Sequence, residues 1–115
     1  VSDWLDDAAE AYEEYFVSLV SGPPFPGSLR RLVNAYAILS RLYYEHAISA
    51  IPDSPFDALC LELIERFDEA KDAGVWHFEK IMDLEALKAG TGFHHRGFPD
   101  HINAIARQIA RRNRQ

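Results

Sequence analysis

The stretch LRRLVNAYAILSRLYYEHAISAIPDSPFDALCLELIERF, Leu29 to Phe67, decides how this chain folds. Leu29, Leu32, Val33, Tyr36, Leu39, Leu42 and Tyr43 recur at helical spacing, while Arg30, Arg31, Asn34 and Arg41 take other faces. That pattern is one amphipathic helix. Ser28 precedes it and offers a hydroxyl to the free N–H groups of the first turn. The helix is expected to end at about His46 or Ala47, before the turn ISAIPDSP. Ser54 is the expected cap of the next helix, with Pro55 at its first position, where a missing N–H removes nothing the helix uses. Phe56, Leu59, Cys60, Leu63, Phe67 and Ala70 form its apolar face, and Gly74 is its expected stop.

Working outward, Trp4, Leu5, Ala8, Ala9, Tyr12, Tyr15, Phe16 and Leu19 mark an earlier helix, capped by Ser2 and acidic in its first turn. Its end is set by SGPPFPGS, whose prolines and glycines make Ser21 to Gly27 a stiff connector rather than a domain boundary. On the other side, a short helix is expected from about Asp83 to Ala89, closed by Gly90, then a loop, TGFHHRGF. Pro99 should start a last helix that turns Ile102, Ile105, Ala106 and Ile109 inward. No repeat, low-complexity segment or strand pattern interrupts this order. The expected fold is all-α, a small irregular bundle of about four main helices forming one domain over 1–115.

Composition agrees with such a domain. Of the 115 residues 48% are apolar and 26% charged, values of ordinary globular chains. No apolar run approaches the roughly 18 residues of a membrane span. The opening VSDWLDDAAEAYEEY lacks the basic, apolar, small-residue order of a signal segment. A single cysteine, Cys60, fits a reducing compartment. The expectation is therefore a cytoplasmic protein with no membrane partner.

The net charge of −6 is unevenly spread. Asp3, Asp6, Asp7, Glu10, Glu13 and Glu14 crowd the first helix, and Arg107, Arg111, Arg112 and Arg114 the last. The plain reading is that the two helices lie side by side, or that each simply faces solvent. The acidic balance, with no aromatics between the arginines, argues against direct nucleic-acid binding.

Two aromatics, Tyr43 and Tyr44, stand ahead of the turn, and Asp53, Phe56 and Asp57 beyond it. Each has a structural explanation. Ser54 and Asp57 fit a variant of the capping box, Asp53 a turn, and the tyrosines half-buried helix positions. Together, however, they form a pattern. Tyr43-Tyr44, then Ile51-Pro52-Asp53, Ser54-Pro55, Phe56-Asp57, and Leu59 with Glu62-Leu63 resemble the N-terminal helical domain, domain Ia, of the NAD-dependent DNA ligases. The resemblance lies within about residues 29–70, with RLVNAYAILSRL suiting the first helix of such a domain. Tyr44 stands where that family has histidine, and Phe56 where it has tyrosine.

In those ligases this domain closes over NAD and holds its nicotinamide mononucleotide half. The resemblance therefore implies a nicotinamide nucleotide site lined by Tyr43, Tyr44, Asp53, Phe56 and Asp57. The chemistry is sound on its own terms. An oxidised nicotinamide ring is a flat cation that aromatic faces attract, and carboxylates accept hydrogen bonds from ribose or carboxamide. The family's adenylated lysine, in a Lys-x-Asp-Gly motif, has no counterpart here. KDAG, Lys71 to Gly74, has its acid in the wrong place and reads as a helix end. DLEALKAGTGF, Asp83 to Phe93, is similar to a stretch in small bacteriophage products, which implies a viral source and the host cytoplasm.

His77, His94, His95 and His101, with Asp100, contain ligand types for a metal but not a recognised zinc spacing, and no metal is expected. GTGFHHRG lacks the G-x-G-x-x-G order and has no strand before it. Cys60 lies on an apolar face and reads as core. Two functions follow: a non-catalytic module binding NAD or nicotinamide mononucleotide, or a protein-interaction module, an inhibitor or adaptor of a host protein.

Overall fold

Ser28 caps the central helix as its position predicts. Its Oγ accepts the Arg31 N–H at 3.2 Å. The computed structural model describes residues 3–72 and 100–113. Five helices run through them: α1 Asp3–Leu19, α2 Leu29–His46, α3 Asp53–Glu65, α4 Phe67–Asp72 and α5 Asp100–Asn113. No strand occurs among the described residues, and the fold is all-α. No helix among them is long and apolar enough to cross a membrane.

α2 is the axis of the bundle. It packs against α5 on one side and α3 on another, and α1 packs against α5. Leu32, Val33, Tyr36, Ile38 and Leu42 of α2 are fully buried, and Ile102, Ile105, Ala106 and Ile109 of α5 meet the same core. Burial of one such aliphatic side chain is worth about 1.5–3 kcal/mol. Ser40 is the one polar residue fully buried among these, and its Oγ donates to the Tyr36 carbonyl at 2.9 Å.

The acidic first helix does lie beside the basic last one. Arg112 Nε reaches Glu13 Oε1 at 2.7 Å, and Gln108 Nε2 donates to Asp6 Oδ1 at 2.5 Å. Both pairs are solvent-facing, so they align the helices more than they stabilise them. Trp4 departs from expectation, being 57% exposed. It sits at the margin of the apolar stripe, about 100° around the helix from Leu5, so periodicity alone did not settle its burial.

The connector from Ser21 to Gly27 is pinned from within. Tyr15 Oη donates to the Pro26 carbonyl at 2.5 Å, and the Arg31 guanidinium lies over the Tyr15 ring at 4.4 Å. Gly27 has a φ of +92°, and a Cβ there would stand 3.1 Å from Tyr15 Oη. Glycine is required both by the backbone and by the tyrosine beside it.

Two expectations about the third helix are corrected. Ser54 is not its cap, since α3 starts at Asp53 behind Pro52, which has no side-chain capping bond. Pro55 tolerates this because its position is still within the first turn, where N–H groups have no helical acceptor. The capping-box reading of Asp57 falls with it. Nor does α3 continue to Gly74. The chain breaks at Arg66, whose side chain bridges Glu69 at 2.8 Å and Glu62 at 3.8 Å, and α4 begins beyond it. Ser2, Gly74, the expected helix at Asp83 to Ala89, the GTGFHHRG loop and Pro99 lie outside the described residues.

Candidate functional site

The last turn of α2 presents Tyr43 and Tyr44, and the way this helix stops determines what faces them. Ala47 takes a left-handed conformation, φ 55° and ψ 36°, and its N–H and that of Ile48 both turn back to the Leu42 carbonyl. A non-glycine residue in this region is strained by roughly 1–2 kcal/mol. The reversal drives Ile48 to Ile51 across the end of the helix. Ser49 Oγ donates to the Ile51 carbonyl at 3.1 Å, and Ile51 is buried in the core. Pro52 then starts α3. Asp53 and Asp57, four residues apart on that helix, share one face with Phe56 beside them.

The result is a cleft of about 260 Å³ between the end of α2 and the start of α3. Tyr43, Tyr44, Asp53, Phe56 and Asp57 all line it, with Leu39, Ser40 and the loop Ile48 to Ile51 behind them. The five residues singled out in the sequence therefore surround one concavity. Tyr43 and Tyr44 meet edge to face, ring centroids 4.8 Å apart at 87°, and are 54% and 42% exposed. Phe56 is half-buried. Its ring stacks on that of the fully buried Tyr36, 5.9 Å away and 15° from parallel. One aromatic of the site is thus anchored to the core, and the other two stand in water.

The electrostatics are one-sided. Asp53 and Asp57 contribute two carboxylates, and no lysine or arginine lines the cleft among the described residues. Beneath them Cys60 is 2% exposed, and its thiol is pushed up to about 12, first by burial and then by the charge of Asp57. A thiol so protonated is no nucleophile at neutral pH. The arrangement can hold a flat or cationic group and accept hydrogen bonds from it. It has no acid–base pair or nucleophile arranged for covalent chemistry among the described residues.

Sequence reasoning read Tyr36 and Leu39 only as part of the apolar stripe, and did not single out Ser40 or Ser49. Tyr36, Ser40 and Tyr43 follow i, i+4, i+7 spacing, so the helical face leading to the cleft was present in the pattern. Ser49 had no such signal, because its place depends on how α2 ends. Of the histidine group, His101 is half-buried on α5, and the other three lie outside the described residues. Among the described residues no group of three His, Cys, Asp or Glu side chains could hold a metal ion.

A second hollow, of about 300 Å³, lies on the other side of the loop Ile48 to Ala50. Phe16, Val17, Val20 and Ile109 line it, and Val17 is 73% exposed. Compared with known proteins, the chain matches no family model, no curated protein and no solved structure.

Proposed function

We propose that this chain is a non-catalytic helical module that binds nicotinamide mononucleotide, or NAD through its nicotinamide half, in the cleft between Tyr43 and Asp57. One observation carries the reading: two exposed tyrosines, a core-anchored phenylalanine and two carboxylates face a single concavity. Their resemblance to the first helical domain of NAD-dependent ligases supplies the identity of the ligand. The volume suits the smaller half. At about 260 Å³ the cleft lies just under the roughly 300–1,000 Å³ of small-molecule sites, so a dinucleotide would leave its adenosine outside.

Aromatic attraction for the oxidised ring is worth about 0.5–2 kcal/mol, the larger figure applying where water is excluded. Asp53 and Asp57 would accept hydrogen bonds from ribose hydroxyls or the carboxamide. With no adenylated-lysine motif in the sequence, the role that follows is to hold, present or sequester the nucleotide for an NAD-using partner.

Calorimetric titration with NAD, nicotinamide mononucleotide and AMP tests this reading. The first two should bind saturably and AMP should not. Asp57→Asn should weaken binding about tenfold or more, with the helical circular dichroism unchanged. Absence of heat at millimolar ligand sinks the proposal.

A second reading has its own observation. Val17 and Val20, 73% and 46% exposed, flank the hollow behind the loop, at the end of the helix that carries Asp6, Asp7, Glu10, Glu13 and Glu14. That combination favours a protein partner with a basic surface, as for an inhibitor or adaptor. A pull-down with the native chain should then recover a stoichiometric partner that Val17→Asp releases.

A further inference from the structure

We infer that the cleft selects its ligand by positive charge on a flat ring, so that cationic nicotinamide riboside binds in preference to the phosphorylated mononucleotide and to the neutral reduced riboside. The inference rests on the reading that the Tyr43–Asp57 cleft takes a nicotinamide compound, and it makes the charge of the ring the basis of selection.

Three observations carry it. The described residues lining the cleft contribute two carboxylates and no cation, so a phosphate entering it meets repulsion from them and no counter-charge among them. The start of α3, where a phosphate would look for free N–H groups, is a poor anion site. Asp53 already places a carboxylate there, and Pro55 removes one donor from the first turn. Arg41, two residues before Tyr43 on α2, is held in an ion pair with Glu45 and does not line the cleft.

The ring side of the argument is positive rather than an exclusion. Leu39, Ile51 and Phe56 give the cleft an apolar back wall, which strengthens the attraction between a cation and the aromatic and carboxylate groups facing it. The chain makes the same choice elsewhere, where Arg31 lies 4.4 Å from the centre of the Tyr15 ring. At the cleft, Tyr43 and Tyr44 present aromatic surface to solvent beside Asp53 and Asp57, so an incoming organic cation meets ring and carboxylate together. Reduction of the ring removes its charge, and phosphorylation of the riboside reverses the sign of the whole ligand.

The test is a set of titrations of the full chain with nicotinamide riboside, its reduced form and nicotinamide mononucleotide, each at low and high salt. The oxidised riboside is expected to bind about tenfold or more tighter than either of the others. Added salt should narrow its lead over the mononucleotide, because it screens attraction in one case and repulsion in the other. The double variant Asp53→Asn, Asp57→Asn, checked for fold by circular dichroism, should lose most of the preference. If the mononucleotide binds as well as the riboside or better, the phosphate carries affinity and the inference is overturned while the nucleotide reading stands. Equal binding of oxidised and reduced riboside overturns it too. Failure of all three to bind removes the inference and the nucleotide reading together.

Discussion

The two ends of α2 use the same materials to opposite purposes. At the N-terminal end Tyr15 is 5% exposed, its hydroxyl is bonded to Pro26 and its ring lies against Arg31. Aromatic face, hydroxyl and cation are all supplied by the chain, and they lock a connector in place. At the C-terminal end Tyr43 and Tyr44 stand about half in solvent beside two carboxylates and a concavity. Tyr15 meets its cation within the chain. Tyr43 and Tyr44 line a half-open cleft beside carboxylates, which is where we propose that a ligand is received.

The sharpest way to break this contrast is to cut the link between core and cleft. Tyr36→Ala removes a fully buried ring and the support of Phe56, and should cost about 3–5 kcal/mol in urea unfolding. A loss under about 1 kcal/mol would mean that the cleft is not braced by the core.

Cys60 probes the interior just below the open end. Its folded thiol ionises at about 12 against an ordinary 9.0, so the unfolded chain loses the proton first as pH rises. The stability this contributes is fully present below 9.0 and is lost between there and about 12. The slope added by this group should approach about 1.4 kcal/mol per pH unit. Unfolding measured across that range should fall less steeply in Cys60→Ala, and identical slopes would show that the thiol is already open to water.

A matched pair of hydroxyl deletions compares the two ends directly. Tyr15→Phe should destabilise by about 1–2 kcal/mol through loss of the bond to Pro26. Tyr43→Phe should stay within about 0.5 kcal/mol. Equal effects would erase the distinction drawn here. A gain rather than a loss is expected at the strained end of α2. Ala47→Gly, at φ 55°, should raise stability by about 0.5–1 kcal/mol in urea unfolding.

Much of this was legible in the sequence. The stripe on α2 predicted the burial of Leu32, Val33, Tyr36, Leu39 and Leu42, though not that of Ile38 or the exposure of Tyr43, and Ser28 announced the start of the helix by capping chemistry. The five cleft residues were picked out as a group by the resemblance to the ligase domain. The start of α3 was not, because two prolines, Pro52 and Pro55, both suit a first turn and the choice between them depends on Ile51 reaching the core. The break at Arg66 was equally hidden. Its apolar pattern continues through Phe67, and only the pairing of Arg66 with glutamates on both sides marks the join.

Every described residue lining the cleft falls between Leu39 and Asp57. Its contacts are therefore of short sequence range, made when one helical hairpin closes a brief loop. Closing such a loop is entropically mild and fast, and low contact order goes with rapid folding. The cleft should then take shape as soon as α2 and α3 dock, before α5 arrives from the far end of the described chain. Amide protection in the last turn of α2 and the first of α3 should accordingly appear early in refolding, ahead of that in α5.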